Sequence, residues 1–237
     1  MANLKVNTVS GIGTEGPTLD GGLKFRSENY MTLPKGDTAQ RGRGRALLLG
    51  GIYPETTRME TYSLISSSNG VEFGTLSGGN ALAWGSALAS STRGLIAGGS
   101  PVVNNIEYIS ISTLGDSINF GDLTVAKRHS TGVSNNVRGM WGGGETANGS
   151  SQTNVIDFVT IASTGDAQDF GDLTLARRGV AGGASPTRGV FACGSDSPTS
   201  PGNVNNIDYV TIASAGNATD FGDLFENVYN HGGMASE

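Results

Sequence analysis

An all-β chain made of four copies of one small antiparallel sheet is the fold class this sequence predicts, and three observations predict it. The first is a repeated phrase: Asn104–Leu123 reads NNIEYISISTLGDSINFGDL, Asn154–Leu173 reads NVIDFVTIASTGDAQDFGDL, and Asn205–Leu224 reads NNIDYVTIASAGNATDFGDL. A worn copy, METYSLISSSNGVEFGTL, runs from Met59 to Leu76. In all four, the first strand residue (Met59, Ile106, Ile156, Ile207) stands fourteen positions before a phenylalanine (Phe73, Phe120, Phe170, Phe221). The second is the phrase that introduces each copy, from Arg45, Arg93, Arg138 and Arg188 to Gly51, Gly99, Gly144 and Gly194. The third is composition: 38 glycines and only 15% charged residues suit short strands joined by tight turns. No window holds helical apolar periodicity over three turns, so little helix is expected. Self-similarity at a period near fifty residues marks stacked supersecondary units.

In chain order, residues 1–36 stand outside the repeat as an amino-terminal arm, and residues 37–237 form the four-repeat array. The units run at about 45–92, 93–137, 138–187 and 188–237. The arm has brief extended candidates at Leu4–Val9, Leu23–Arg26 and Tyr30–Leu33, split by Gly-Pro and Asp-Gly-Gly turn signals. It holds too few apolar residues for a core of its own. It either packs on the array or frays, or else attaches the array to a partner or to another copy of the chain. Gly36–Gly44, GDTAQRGRG, is a flexible basic link.

From Arg45 onward each unit repeats one anatomy. The Arg-Gly-apolar strand carries large residues on consecutive positions, as a strand buried on both faces does. Its Gly-Gly end allows a tight turn or a close backbone approach. A loop of variable length follows, then an alternating strand in which Ile207, Tyr209 and Thr211 share one face. A Gly-containing turn leads to the short Asp-Phe-Gly-Asp-Leu strand. A fourth, weaker strand crosses Arg128–Ser134 and Arg177–Ser185. Four short antiparallel strands per unit describe a propeller blade. The first unit begins at its Gly-Gly strand, and Asn227–Ser236 aligns with Arg177–Ser185. The carboxyl-terminal strand is therefore expected to complete the first blade and close a small four-bladed β-propeller. An open array, or a larger ring completed by other subunits, is the alternative.

The order of the pieces resembles the kelch repeat: Gly98-Gly99, Tyr108 and Phe120, and again Gly143-Gly144, Phe158 and Phe170, fill its glycine and aromatic places. Kelch blades usually place tryptophan where this chain has phenylalanine. The wording IDYVTIAS-x-GNATDFGDL…RG-x-F-x-GG is also similar to repeats in virion structural and tail proteins of marine phages infecting cyanobacteria. The segment GGLKFRSENYMTLPKGDTAQRGRG is similar to the one that leads into those repeats. What the resemblance implies is a component of a phage particle.

Charge and motifs narrow the function classes. A net charge of −6 with no basic stripe argues against a nucleic-acid groove. One cysteine excludes an internal disulfide framework and a Cys-based zinc site. No apolar h-region opens the chain and nowhere do about 18 apolar residues run together, so a soluble product with no membrane insertion is expected. Cys193 occupies a place held by Gly98 and Gly143 in sister units, which makes it a small core residue rather than a nucleophile. His129 and His231 take similar late places in units two and four, but units one and three lack them. Asp116, Asp122, Asp166, Asp169, Asp172, Asp220 and Asp223 do not follow a calcium-loop spacing, and Asp in Gly turns usually caps backbone amides. No GxSxG, P-loop or HExxH motif is present. No catalytic residue, metal or cofactor is assigned, and the chain is expected to be no enzyme.

Recurrent charges suit the fold. Arg45, Arg93, Arg138 and Arg188 are expected to pair with Glu60, Glu107, Asp157 and Asp208, or to ring a channel. Phe73, Phe120, Phe170 and Phe221 are expected to be buried between blades. What differs between units is the loop after Gly-Gly: Ile52–Arg58, Ser100–Asn105, Glu145–Val155 and Ser195–Asn206. Variable loops on a rigid scaffold are where recognition is placed. The candidate contact residues are Glu145, Thr146, Asn148, Gln152, Asp196, Thr199, Asn203 and Asn205.

The expected function is a non-enzymatic phage virion structural protein, tail or fibre associated, serving as an interaction scaffold in host-surface adhesion. A capsid decoration protein and a cellular kelch-type adaptor are the alternatives. The partners expected are other virion proteins through residues 1–35 and a host surface glycan or protein. The chain is expected as a homo-oligomer or in multiple copies in the particle, after synthesis in the bacterial host cytoplasm.

Overall fold

The computed structural model describes residues 18–19, 23–24, 45–52, 55–64, 66–78, 82–147, 151–197 and 202–229. The chain falls into two units, residues 1–44 and 45–237. In the first, β1 (Thr18–Leu19) and β2 (Leu23–Lys24) pair antiparallel, with Leu19 opposite Leu23. The extended candidates Leu4–Val9 and Tyr30–Leu33 lie outside the described residues.

The second unit is all-β, as expected, and no helix occurs among the described residues. Blade 1 holds β3 (Arg45–Ile52), β4 (Glu55–Ser63) and β5 (Val71–Thr75). Blade 2 holds β6 (Ser86–Ala89), β7 (Arg93–Ala97), β8 (Asn105–Ser110) and β9 (Ile118–Asp122). Blade 3 holds β10 (Thr131–Ser134), β11 (Arg138–Gly142), β14 (Val155–Thr160) and β15 (Gln168–Asp172), with a side hairpin of β12 (Glu145–Ala147) and β13 (Ser151–Gln152). Blade 4 holds β16 (Ala181–Ala184), β17 (Arg188–Ala192), β18 (Val204–Thr211) and β19 (Thr219–Val228). Strands pair antiparallel in chain order within each blade. The weak strand that ends one sequence unit is thus the first strand of the next blade.

The phenylalanine sits on the same irregularity in every blade. Ile106 pairs with Gly121 and Glu107 with Asn119, so Phe120 is the extra residue of a β-bulge. The same shift isolates Phe73, Phe170 and Phe221. The bulge aims the ring at the following blade. Phe73 packs with Ile96 and Ile109 of blade 2, Phe120 with Trp141 and Val159 of blade 3, and Phe170 with Phe191 and Val210 of blade 4.

The glycine after it is needed for the same contact. A Cβ on Gly121 would lie 2.3 Å from the carbonyl oxygen of Gly165, and one on Gly171 would lie 2.5 Å from that of Gly216. Gly222 has nothing within 4 Å, although its φ of 134° also favours glycine. Gly121→Ala should therefore cost about 1–3 kcal/mol more than Gly222→Ala, because only the first forces a junction apart. Chemical denaturation of the two variants checks this.

Three sequence expectations need correction. Phe221 is not buried: it is 55% exposed, against 3%, 3% and 2% for Phe73, Phe120 and Phe170. No blade among the described residues stands against the face of blade 4 that a next blade would cover. The strand Arg45–Gly51 is not buried on both faces either, since Leu48 is 58% exposed while its counterparts Ile96, Trp141 and Phe191 are buried. Closure of blade 4 on blade 1 would bury both residues, so the described residues form an open run of blades. Residues 230–237, which include most of the expected closing strand, lie outside them.

The expected Arg–carboxylate pairing is also replaced. Arg45, Arg93 and Arg138 donate through Nη1 to the carbonyls of Ile111, Ile161 and Ile212 in the following blade at 2.9, 3.0 and 2.8 Å. Arg93, Arg138 and Arg188 lie over Tyr108, Phe158 and Tyr209 of their own blades. The carboxylates face the other way. Asp157 takes the N–H of Thr124 at 3.0 Å, its hydroxyl, and the Lys127 ammonium at 2.8 Å. Asp208 takes the N–H and hydroxyl of Thr174 and the Arg177 guanidinium at 3.0 Å. Glu107 accepts from the N–H groups of Ser77 and Gly78, 3.0 Å each, and from the Ser117 hydroxyl. Each carboxylate therefore clamps its blade to the one before it. Burial holds the Lys127 ammonium below its ordinary pKa against the opposing pull of Asp157.

Candidate interaction site at the loop edge

The strands β7, β11 and β17 end in a left-handed turn that sends the chain into its variable loop. Gly98, Gly143 and Cys193 hold φ of 64°, 67° and 56°. A Cβ on Gly98 would lie 2.2 Å from the Lys127 carbonyl oxygen, which is why glycine recurs there. Cys193 is fully buried, its Sγ 3.9 Å from the Gly179 carbonyl, in keeping with a small core residue. Gly99, Gly144 and Gly194 then donate to the carbonyls of Lys127, Arg177 and Val228 at 3.0, 2.8 and 3.0 Å. By the repeat, all these loops leave the same edge of the array.

The expected contact residues separate sharply. Asp196 and Asn203 are exposed, beside a short loop closure from the Asp196 N–H to the Gly202 carbonyl at 2.9 Å. Thr146 and Gln152 are half-buried in the β12–β13 hairpin, where the Thr146 hydroxyl donates to the Ser151 carbonyl. Asn205 is half-buried and donates to the Leu224 carbonyl at 3.1 Å, which gives it a structural task. Asn148 and Thr199 lie outside the described residues. Glu145 is corrected outright: it is fully buried and cannot meet a partner at the surface.

Glu145 instead ties two blades at this edge. Its Oε1 accepts from Arg128 Nε and Nη2 at 2.9 and 2.6 Å, and its Oε2 accepts from Arg178 Nη1. Arg128 opens the way into β10 and Arg178 into β16, so one carboxylate fixes two neighbouring inner strands. The charge of the buried acid is compensated by two arginines, a geometry that no spacing in the sequence announces.

Beside this group lies an aromatic surface absent from the sequence expectations. Trp84, exposed on one side, stacks on His129 with centroids 4.9 Å apart and planes at 25°, and the Arg128 guanidinium lies 4.9 Å from the Trp84 ring. Trp84 and His129 hold φ of 59° and 55°, a conformation bulky residues rarely adopt. Backbone bonds pass along the row, from His129 N–H to the Trp84 carbonyl and from Gly179 N–H to the His129 carbonyl. The available signal was alignment: Trp84 and His129 stand where the third unit has Gly179, at φ 63°. His231 lies outside the described residues. Among those described, no three of His, Cys, Asp and Glu cluster as a metal site.

His129 carries a testable titration. Burial lowers its pKa from the ordinary 6.5; Glu145 opposes this, and Arg128 and Arg178 add to it. A folded-state pKa below the unfolded one means the unfolded chain binds the proton first. The neutral ring's stabilisation is complete above about pH 6.5 and is lost as pH falls through the folded value. Melting temperature should therefore fall between pH ~7 and ~5.5, and His129→Asn, which tolerates the left-handed backbone, should flatten that fall. Thermal melts of the two proteins across that range check it.

Four of the seven aspartates singled out in the sequence cap backbone amides, as expected. Asp116 Oδ1 accepts from the Thr75 N–H at 2.8 Å and from its hydroxyl, and Asp166 Oδ1 from the Asp122 N–H at 3.0 Å. Asp169 and Asp220 accept from Gly171 and Gly222, 2.9 Å each.

No protein-family model matches the sequence, and no curated protein matches it. Among solved structures, that of YjhT, a kelch-repeat β-propeller protein, superposes with a TM-score of 0.61 at 8% identity. The match covers 77% of this chain and 63% of YjhT, so the chain spans less than two thirds of that propeller. The likeness shows the fold alone, a kelch-like β-propeller architecture.

Proposed function

We propose that the chain is a non-enzymatic structural component of a phage particle, tail or fibre associated, which presents its loop edge to a host surface glycan or protein. The observation that carries the scaffold reading is the contrast between junctions and loops. Phenylalanine, glycine, turn acceptor and carboxylate recur at the junctions, whereas the loops after Gly-Gly differ in length and content. A rigid frame with one variable, polar edge is the arrangement recognition surfaces use. Asp196, Asn203 and the exposed ring of Trp84 supply hydrogen-bonding and aromatic contact at that edge. The phage assignment rests on the wording of the repeats and of the segment before them. Residues 1–35 serve for attachment to other virion proteins, and the protein is present in multiple copies in the virion.

Deleting residues 1–35 should leave a folded array that no longer enters particles. Replacing 146–152 and 196–203 with short Gly-Ser turns, while keeping Glu145 and Ser195, should leave incorporation intact and reduce adsorption to host cells. Unchanged adsorption would remove the adhesive role and favour a capsid decoration or purely structural part. A protein never found in particles would instead be a cellular kelch-type adaptor.

A further inference from the structure

We propose that the two end faces of the blade array are the two halves of one interface, and that each is covered by a second copy of this chain joined head to tail. The inference is independent of the phage reading. It continues an interface already present three times within the chain, between blades 1 and 2, 2 and 3, and 3 and 4.

Each internal junction is heterologous: the Phe face of one blade meets the opposite face of the next. On that receiving face stand Ile96, Trp141 and Phe191, then Ile109, Val159 and Val210, then Ile111, Ile161 and Ile212, all buried. The equivalents on blade 1 are Leu48, Tyr62 and Leu64, and all three are exposed, Leu64 to 65%. On the giving face, Leu76, Leu123 and Leu173 are buried beside their phenylalanines, whereas Leu224 is half-exposed beside exposed Phe221. Exposure alone is ordinary for some apolar positions, as Val71 and the equivalent Ile118 show, 57% exposed each. The end positions differ because their counterparts are covered in every other blade.

The polar groups of the junction are left over in matching pairs. Internally, Gly115, Gly165 and Gly216 donate to the carbonyls of Phe73, Phe120 and Phe170 at 2.9, 2.8 and 2.7 Å. Ser117, Ala167 and Ala218 donate to those of Thr75, Asp122 and Asp172. Asp116, Asp166 and Asn217 accept the returning N–H of Thr75, Asp122 and Asp172. The next members of these series are Ser68 to Phe221, Gly70 to Asp223, and Asp223 to the Asn69 side chain. Among the described residues none of these bonds is made. Arg188 likewise continues the series of Arg45, Arg93 and Arg138, and its next acceptor is the carbonyl of Leu64. The open space before Gly222 is where the backbone of that next turn belongs.

Two apolar residues mark this junction. Phe225, 99% exposed, and Val228 stand where the junctions between blades 2 and 3 and between blades 3 and 4 have Thr124 or Thr174 and Lys127 or Arg177, and where the junction between blades 1 and 2 has Ser77 and Asn80. The copy-to-copy contact therefore exchanges a buried cation for apolar area, and Glu60 keeps the Phe225 N–H in the place of a threonine N–H. An ion pair costs desolvation to bury, so its loss does not argue against association. Blade 1 also ends on β3, a free edge among the described residues where the other three sheets carry an inner strand. A match to 63% of a longer propeller agrees with an arc that has room for more blades. Heterologous faces on one chain close a ring or extend as a filament.

Analytical ultracentrifugation of the full chain tests this, with Leu48→Glu to disable the receiving face and Phe221→Glu to disable the giving face. Both residues are exposed, and unchanged thermal melts identify each variant as folded. The wild type should associate with rising concentration, and each variant alone should stay monomeric. An equimolar mixture of the two should form a dimer and nothing larger, because one intact giving face then meets one intact receiving face. A wild type that stays monomeric up to its solubility limit overturns the proposal, and means that the ends are covered by the chain itself or by a different partner. Dimers formed by either variant alone overturn it as well, since they require a symmetric contact.

Discussion

Phe170→Ala lowers the unfolding free energy by about 3–5 kcal/mol, the loss expected for a buried aromatic that leaves a cavity. Phe170 is 2% exposed and packs among Phe191, Val210 and Ile212, so its removal empties the contact between blades 3 and 4. Phe221→Ala, at the same place in the repeat, should cost far less in a dilute monomer, because its ring is already in solvent. Urea unfolding of the two variants under identical conditions gives the comparison. Equal losses would mean that Phe221 is covered in solution by a part of the chain that the described residues do not include.

Lys127→Met should be as damaging, at about 3–5 kcal/mol, because it strands a buried carboxylate. The Lys127 ammonium and Asp157 are both fully buried, and the ammonium also donates to the carbonyls of Trp141 and Val155 at 3.0 and 3.1 Å. Methionine keeps the stem's volume and removes the charge. Asp157 is then left with the N–H and hydroxyl of Thr124. Adding Asp157→Leu should recover part of the loss, since the penalty lies in the unpaired charge rather than in the absent pair. A double-mutant cycle that shows no recovery would place the cost in packing instead.

The sheets were legible because the repeat records them in every unit. A phenylalanine kept fourteen residues from a strand start, with glycine after it, writes a bulge and a close approach into the sequence. The carboxylates' partners were not legible because they depend on register across two blades. Arg93 pairs opposite Ser110, while Glu107 lies opposite Ile96, three residues farther along β7. An odd offset puts Arg93 and Glu107 on opposite faces of the sheet, so the two can never meet. The arginine reaches forward to the next blade and the carboxylate back to the previous one. Glu145 was misplaced for a related reason: polar loop residues read as exposed, and only the meeting of Arg128 and Arg178 shows what buries it. The open ends escaped the repeat altogether, since Leu48 and Phe221 obey its wording and differ only in having no neighbouring blade among the described residues.

Quantitative mass spectrometry of density-purified particles from an infected culture tests the functional account most directly. The account predicts this chain among the particle proteins, at a fixed number of copies relative to the major capsid protein, and retained through repeated purification. Its absence from purified particles, with the protein recovered instead in the soluble fraction of infected cells, would contradict it.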